Sequence, residues 1–260
     1  MAKILIAVNT LTAVDQLAYL NHNQMWYRLG RSYPEHDFAI CAPRRMSIDN
    51  MRNFAGKHAV ESDFDYLLFL DDDVLTPVQV NPNWLRRMID YDKDVVAGVT
   101  MIRGYPYHPM IFSFIKRQFN SLDTHFIDNY KELANEAGFL QCDAIGFSLC
   151  LIKVAVLRKI SKPFFITGVN HTEDVYFCNK MRSEIPGSQV WVDTRCETAH
   201  ILGSDIIMPL NVEARKKFDE DENPGLKEAV QREELRQPII DPKVFGKRSY
   251  EEVVIKETWG

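Results

Sequence analysis

Short apolar runs punctuate the chain at Ile4 to Val8, Phe38 to Ala42, Tyr66 to Leu70, Val95 to Val99, Phe147 to Ile152 and Val190 to Val192. Runs of this kind, bounded by polar residues, predict strands buried on both faces. Between them the period changes to that of a helix. Val14, Leu17 and Leu20 recur at helical spacing, as do Met51, Phe54, Ala55 and His58. Asn81 and Pro82, ahead of Trp84, Leu85, Met88 and Ile89, supply a cap, a first-turn proline and an apolar face. Strand and helix in alternation predict an α/β fold built on a mostly parallel, helix-flanked sheet.

In such sheets ligands bind beyond the carboxyl ends of the strands, which directs attention to the residues just after each run. These are Asn9 and Thr10, Pro43 to Arg45, Asp71 to Asp73, and Thr100 to Arg103. The stretch from about 104 to 138 is aromatic-rich and weakly periodic, as expected of an insertion beside a site. Past His200 the pattern changes again. Asn211 to Gln237 is densely charged, with a break at Asn223-Pro224-Gly225, so 1–205 reads as the catalytic domain and 206–260 as a helical extension and tail packed on it.

With 260 residues, 46% of them hydrophobic, the chain can bury a full core. A net charge of −5 supplies no global attraction to nucleic acid or anionic membrane, so any polyanion site must be local. The apolar run Ile4 to Val8 is too short for a signal-peptide core, and no stretch reaches the ~20 apolar residues of a membrane helix. Five scattered cysteines, without a C-x-x-C pair, indicate neither a disulfide framework nor a zinc cage. The expectation is a cytoplasmic protein with reduced thiols, no membrane attachment and no obligate protein partner.

Three carboxylates directly after a buried strand, Asp71-Asp72-Asp73, repel one another unless a cation intervenes. If the strand continues, Asp71 and Asp73 share a face as converging oxygen ligands and Asp72 points away. The competing explanation is a solvated acidic turn before Pro77. Glu173 and Asp174 open a pattern in which Val175, Cys178 and Met181 share one helical face, and Thr172 is a good cap residue. Acids there also serve the helix dipole, so this pair alone does not establish a site. His200 is isolated and falls in an expected loop; a lone histidine is more often structural than a ligand.

Taken together and in order, these pieces resemble the GT-A glycosyltransferases, especially compact family-2-like members and related bacteriophage-encoded enzymes. The resemblance covers about residues 1–205. It rests on Val8-Asn9-Thr10 ending the first strand, Arg52-Asn53 before the metal strand, the D-x-D type Asp71-Asp72-Asp73, a D-A-I-G segment at Asp143 to Gly146, the Glu173-Asp174 pair, and His200. The resemblance implies a GT-A fold and a nucleotide-diphosphate sugar donor. The nucleotide would rest on Val8, Asn9, Thr10, Arg52, Asn53, Asp71 and Asp72. Asp71, Asp73 and His200 would hold Mn²⁺ or Mg²⁺, the imidazole favouring Mn²⁺. In inverting members the aspartate of the acidic pair takes the acceptor proton, which makes Asp174 the candidate base and Glu173 its orienting neighbour. A Q-x-x-R-W segment is missing after the pair, which argues against a processive polysaccharide synthase.

Other classes fit less well. Magnesium-dependent phosphatases usually carry an aspartate after the first strand, where this chain has Asn9-Thr10, and there is no G-x-x-x-x-G-K-[ST] loop. A non-catalytic nucleotide-sugar binding module would keep the same residues without turnover. For the acceptor, two chemistries compete: a hydroxymethylated or glycosylated DNA base, and a glycan or small molecule. The aromatic and basic residues from Arg103 to Phe126, including Tyr105, Tyr107, Lys116, Arg117 and Phe119, are the expected acceptor platform or, equally, the core of an inserted subdomain.

Overall fold

A computed structural model describes residues 1–10, 13–118, 121–169 and 171–228, for 115–118 and 121–123 the backbone alone. Phe119, the side chains of Lys116 and Arg117, and the tail from 229 onward therefore lie outside the described residues. In chain order the elements are β1 (Lys3–Asn9), α1 (Gln16–Ser32), β2 (Asp37–Cys41), α2 (Ile48–Glu61), β3 (Tyr66–Asp71), β4 (Val74–Leu75), α3 (Trp84–Tyr91) and β5 (Val95–Val99). Next come β6 (Ile111–Gln118), β7 (Ser121–Phe126), α4 (Tyr130–Leu133), β8 (Phe139–Cys142), β9 (Ala144–Ile145), β10 (Leu149–Lys153) and α5 (Val154–Leu157). The last described elements are α6 (Glu173–Glu184), β11 (Val190–Glu197), β12 (Ala199–Leu202), β13 (Asp205–Ile207) and α7 (Val212–Glu222).

Seven strands form the central sheet in the order β2-β1-β3-β10-β5-β11-β8. Its inner strands carry long apolar stretches because both faces are covered there, and the two-residue period sorts the side chains between them. Leu5, Leu67, Phe69, Val95, Ala97, Cys150 and Ile152 join one core with Ala55 and Ala59 of α2 and Phe177 and Met181 of α6. Ile4, Ile6, Leu68, Leu70, Val96 and Leu151 join the other, with Met25 and Leu29 of α1 and Trp84, Leu85 and Met88 of α3.

Each of the six apolar runs overlaps a strand, and the sheet is mostly parallel, as alternation predicts, with two strands reversed. β2, β1, β3, β5 and β11 run one way; β10 is antiparallel to β3 and β5, and β8 antiparallel to β11. β10 enters the sheet at the end where β3 leaves it, with Leu149 opposite Leu70.

One helical face and one helix start also differ from the expected ones. In α1 the buried stripe is Ala18, His22, Met25 and Leu29, while Leu17 and Leu20 are about half exposed. Asp15 caps this helix by accepting from the Leu17 and Ala18 amides. His22 tolerates burial because its Nε2 meets the Val74 carbonyl at 2.9 Å, a partnership invisible to hydropathy. α3 starts at Trp84 with Asn83, not Asn81, in the cap position; the Asn81 side chain instead donates to the Arg195 carbonyl. The stretch 104–138 is structured: β6 pairs with β7 and β9 in a three-stranded sheet. Tyr107, Ile111, Phe114, Ile127 and Tyr130 enter the main core, so these five side chains serve packing. A third small sheet, β13-β12-β4, places His200 on strand β12 and not in a loop. The expected division at 205/206 falls inside β13.

Candidate active site

β1 and β3 end side by side, with Asn9 opposite Asp71, and both side chains occupy the carboxyl edge of the sheet. Asn9 is buried and its Nδ2 donates to Asp71 Oδ1 at 3.5 Å. Its Oδ1 is buried and has no hydrogen-bond partner, an acceptor left over at the bottom of the site. Val8 turns its side chain into the core. The backbone N–H of Thr10 donates to Pro43 and Thr10 bridges Arg44, carrying the edge across to the loop after β2. Arg44 and Arg45 on that loop are exposed.

Arg52, from α2, lies completely inside the protein and gathers the neighbouring acids. Its Nε donates to Glu173 Oε1 at 2.9 Å, its Nη2 reaches Asp71 Oδ1 at 3.4 Å, and its Nη1 donates to the Phe147 carbonyl at 3.0 Å. The guanidinium lies 5.0 and 5.6 Å from the Phe69 and Phe147 ring centres, respectively. Burial removes water from all three charged groups. It pushes the carboxyls of Glu173 and Asp71 up, against the opposing pull of Arg52. The two carboxylates hold Arg52 firmly protonated in spite of its burial. Glu173, which is buried, and Asp71, which is partly buried, thus share one cation. Asn53 is fully engaged elsewhere: Oδ1 accepts from the Phe164 and Phe165 amides and Nδ2 donates to the Asp49 and Phe165 carbonyls.

The acidic triplet does not continue the strand. β3 stops at Asp71, and Asp72 and Asp73 form a turn leading into β4, so strand alternation does not orient them. The Asp72 carbonyl accepts from the Asp15 amide, and Asp73 faces His200. His200 is buried; its Nδ1 is 2.9 Å from the Met101 carbonyl and its Nε2 is 3.5 Å from Asp73 Oδ1. Asp73 Oδ2 accepts from Arg103 Nη1 at 2.6 Å. Burial alone would raise the Asp73 carboxyl, but the His200 contact and the Arg103 charge outweigh it and hold the group below its ordinary range.

This arrangement has a definite chemistry. An imidazole that donates Nδ1–H to a carbonyl presents Nε2 as an acceptor, and Nε2 here faces a carboxylate. Two acceptors at that separation need a proton or a cation between them. A ring fixed through its other nitrogen is also how metal-binding histidines are usually oriented. The donor set thus fits a divalent ion. Among the described residues no three His, Cys, Asp or Glu side chains cluster tightly enough to hold one by themselves; Asp73 and His200 form a pair, and Asp71 is turned inward to Arg52 and Asn9.

Glu173 and Asp174 begin α6. Glu173 is buried on Arg52, whereas Asp174 is only half-buried and accepts from the Val175 amide and the Thr172 hydroxyl. Thr172 occupies the cap position, although its side chain goes to Asp174 and not to a backbone N–H. The Asp143 to Gly146 segment is a joint: the Asp143 carboxylate accepts from the Phe114 amide and pairs with Arg182, and the Gly146 amide donates to the Met110 carbonyl. A Cβ on Gly146 would stand 2.8 Å from Met110 Cβ, so the close approach requires glycine. A cleft on α1 lined by Asn23, Gln24, Tyr27, Arg28 and Gln79 lies apart from all these acids. The structure adds the Met101 carbonyl and the pairing of Arg103 with Asp73; the sequence signal for both was their position just after β5.

No protein-family model matches the chain, and no curated protein matches its sequence. Solved structures do resemble it. A197 from STIV is 17% identical and has a TM-score of 0.51, the likeness covering 80% of this chain and 94% of A197. The two proteins share a mixed α/β fold. TarS residues 1–349 from S. aureus is 14% identical with a TM-score of 0.36, over 75% of this chain and 60% of that one. Among the described residues no helix is long and apolar enough to cross a membrane.

Proposed function

We propose that this protein is a glycosyltransferase that moves a sugar from a nucleotide-diphosphate donor to an acceptor hydroxyl with the help of Mn²⁺ or Mg²⁺. The observation that carries the reading is the Asp73–His200 pair, with the imidazole fixed by Met101 and its free nitrogen aimed at the carboxylate. Two protein ligands are too few for a self-contained ion site, and the diphosphate of a donor supplies the oxygens that complete it. When bound, the ion neutralises the diphosphate leaving group as the anomeric bond breaks. In this reading Asn9, supported by its unpartnered Oδ1, and Thr10 meet the nucleotide, and Arg52 holds Asp71 and Glu173 behind it.

Asp174 acts as the base. It is the partly exposed member of the acidic pair, since Glu173 is taken up by Arg52. Its carboxylate accepts the acceptor's hydroxyl proton, the acceptor oxygen bonds to the anomeric carbon, and the nucleotide diphosphate leaves, with inversion. The exposed Arg44 and Arg45, with Arg103, line this edge of a chain of net charge −5. They favour a phosphate-bearing acceptor, and we propose a hydroxymethylated or already glycosylated base in DNA, extruded to reach the site.

Protein, Mn²⁺ and a panel of nucleotide-sugars incubated with hydroxymethylated DNA, then digested to nucleosides, should yield a base carrying an added sugar by mass spectrometry. Transfer to a saccharide with none to DNA contradicts the acceptor alone. No donor hydrolysis and no transfer with any donor contradicts the enzyme and favours a binding module.

A further inference from the structure

Asp73 divides its carboxylate between two partners of different kinds. His200 on Oδ1 is 7% exposed, fixed at Nδ1 by Met101 and held in β12, so it cannot withdraw. Arg103 on Oδ2 is 52% exposed at its side chain and lies just beyond β5, outside any strand. Only Arg103 can leave. A guanidinium and a divalent ion on one carboxylate repel each other, while the planar fork of a guanidinium matches a phosphate as well as it matches a carboxylate.

The backbone behind Arg103 is anchored. The Tyr107 amide donates to the Gly104 carbonyl, and Tyr107 holds a left-handed φ of 59°, a conformation that a bulky side chain keeps only under external constraint. That constraint comes from α7: Tyr105 donates its hydroxyl to Glu220 at 2.7 Å and Tyr107 donates to Asp219. From the same helix Arg215 reaches Asp205 at 2.6 Å on β13, the strand paired with the His200 strand. α7 therefore braces both sides of the Asp73 cradle and leaves the Arg103 side chain free to turn on a fixed base.

We propose that Arg103 is an exchangeable counter-ion, occupying Asp73 until a divalent cation and a diphosphate arrive together, then passing to the diphosphate. The two ligands consequently bind as a set, not cation first. This rests on the reading of Asp73 and His200 as cation ligands and adds a role for a residue that touches neither strand nor ion.

The test measures Mn²⁺ binding by electron paramagnetic resonance, alone and with each common nucleoside diphosphate, to wild type, Arg103→Gln and Arg103→Lys. Arg103→Gln should bind Mn²⁺ alone several-fold more tightly than wild type, and at saturating Mn²⁺ should bind the diphosphate about tenfold more weakly. The mutual tightening of the two ligands, ordinarily of order 5–150-fold for coupled sites, should shrink accordingly. Arg103→Lys, which keeps the charge, should stay near wild type for Mn²⁺ alone, an outcome that loss of structure would not give. Equal Mn²⁺ affinity of wild type and Arg103→Gln overturns the counter-ion role while leaving the cation site intact. Failure of every protein to bind Mn²⁺, with or without diphosphate, overturns the cation site itself and this role with it.

Discussion

Replacing Arg52 with methionine is expected to cost about 3–5 kcal/mol of folding stability, the usual penalty for removing one partner of a buried ion pair. Methionine fills much of the space and keeps contact with Phe69 and Phe147, so the loss is electrostatic: Glu173 and Asp71 remain inside without their shared cation. Both carboxyls are already raised by burial against the pull of Arg52, and they rise further without it. A folded state with raised carboxyl pKa values holds more protons than the unfolded chain between about pH 4 and the raised values. Stability therefore falls as pH rises through that window, and the deficit of Arg52→Met should be largest near neutrality and shrink in acid. Urea unfolding at a series of pH values measures this. Adding Glu173→Gln should recover part of the loss, because the two residues interact directly. A single variant within 1 kcal/mol of wild type would mean that Arg52 is not the hub its contacts indicate.

Asp174→Asn is expected to lower turnover by about 10²–10⁴-fold while leaving the fold and donor binding in place. Asparagine keeps an oxygen to accept from the Val175 amide and the Thr172 hydroxyl, so α6 retains its start. What disappears is the capacity to take a proton. Single-turnover assays with whichever acceptor the transfer assay identifies, beside diphosphate titrations, separate chemistry from binding. Near-normal turnover would place the base elsewhere and favour a retaining route.

The strands were legible because those covered on both faces carry unbroken apolar runs, and Val95 to Val99 coincides with β5 from end to end. The positions of Asn9, Asp71 and Arg103 followed from the strand ends. What escaped sequence reading depended on partners far along the chain. The α1 face turned on a buried histidine meeting a carbonyl 52 residues away. The strand carrying His200 exists only through its pairing with β4 and β13. Arg52 shows the limit most clearly: its place beside Asn53 suggested a nucleotide contact, whereas its surroundings are two acids, a carbonyl and two aromatic rings.

The central claim is that Asp73 and His200 hold a divalent ion shared with a nucleotide diphosphate. Calorimetry of nucleoside diphosphates binding to wild type, Asp73→Ala and His200→Ala, each with Mn²⁺ and with chelator, tests it most directly. Binding to wild type with Mn²⁺, weakened roughly 10–100-fold or more by chelator and by either substitution, is the predicted result. Equal affinity with and without the ion, in all three proteins, would contradict it.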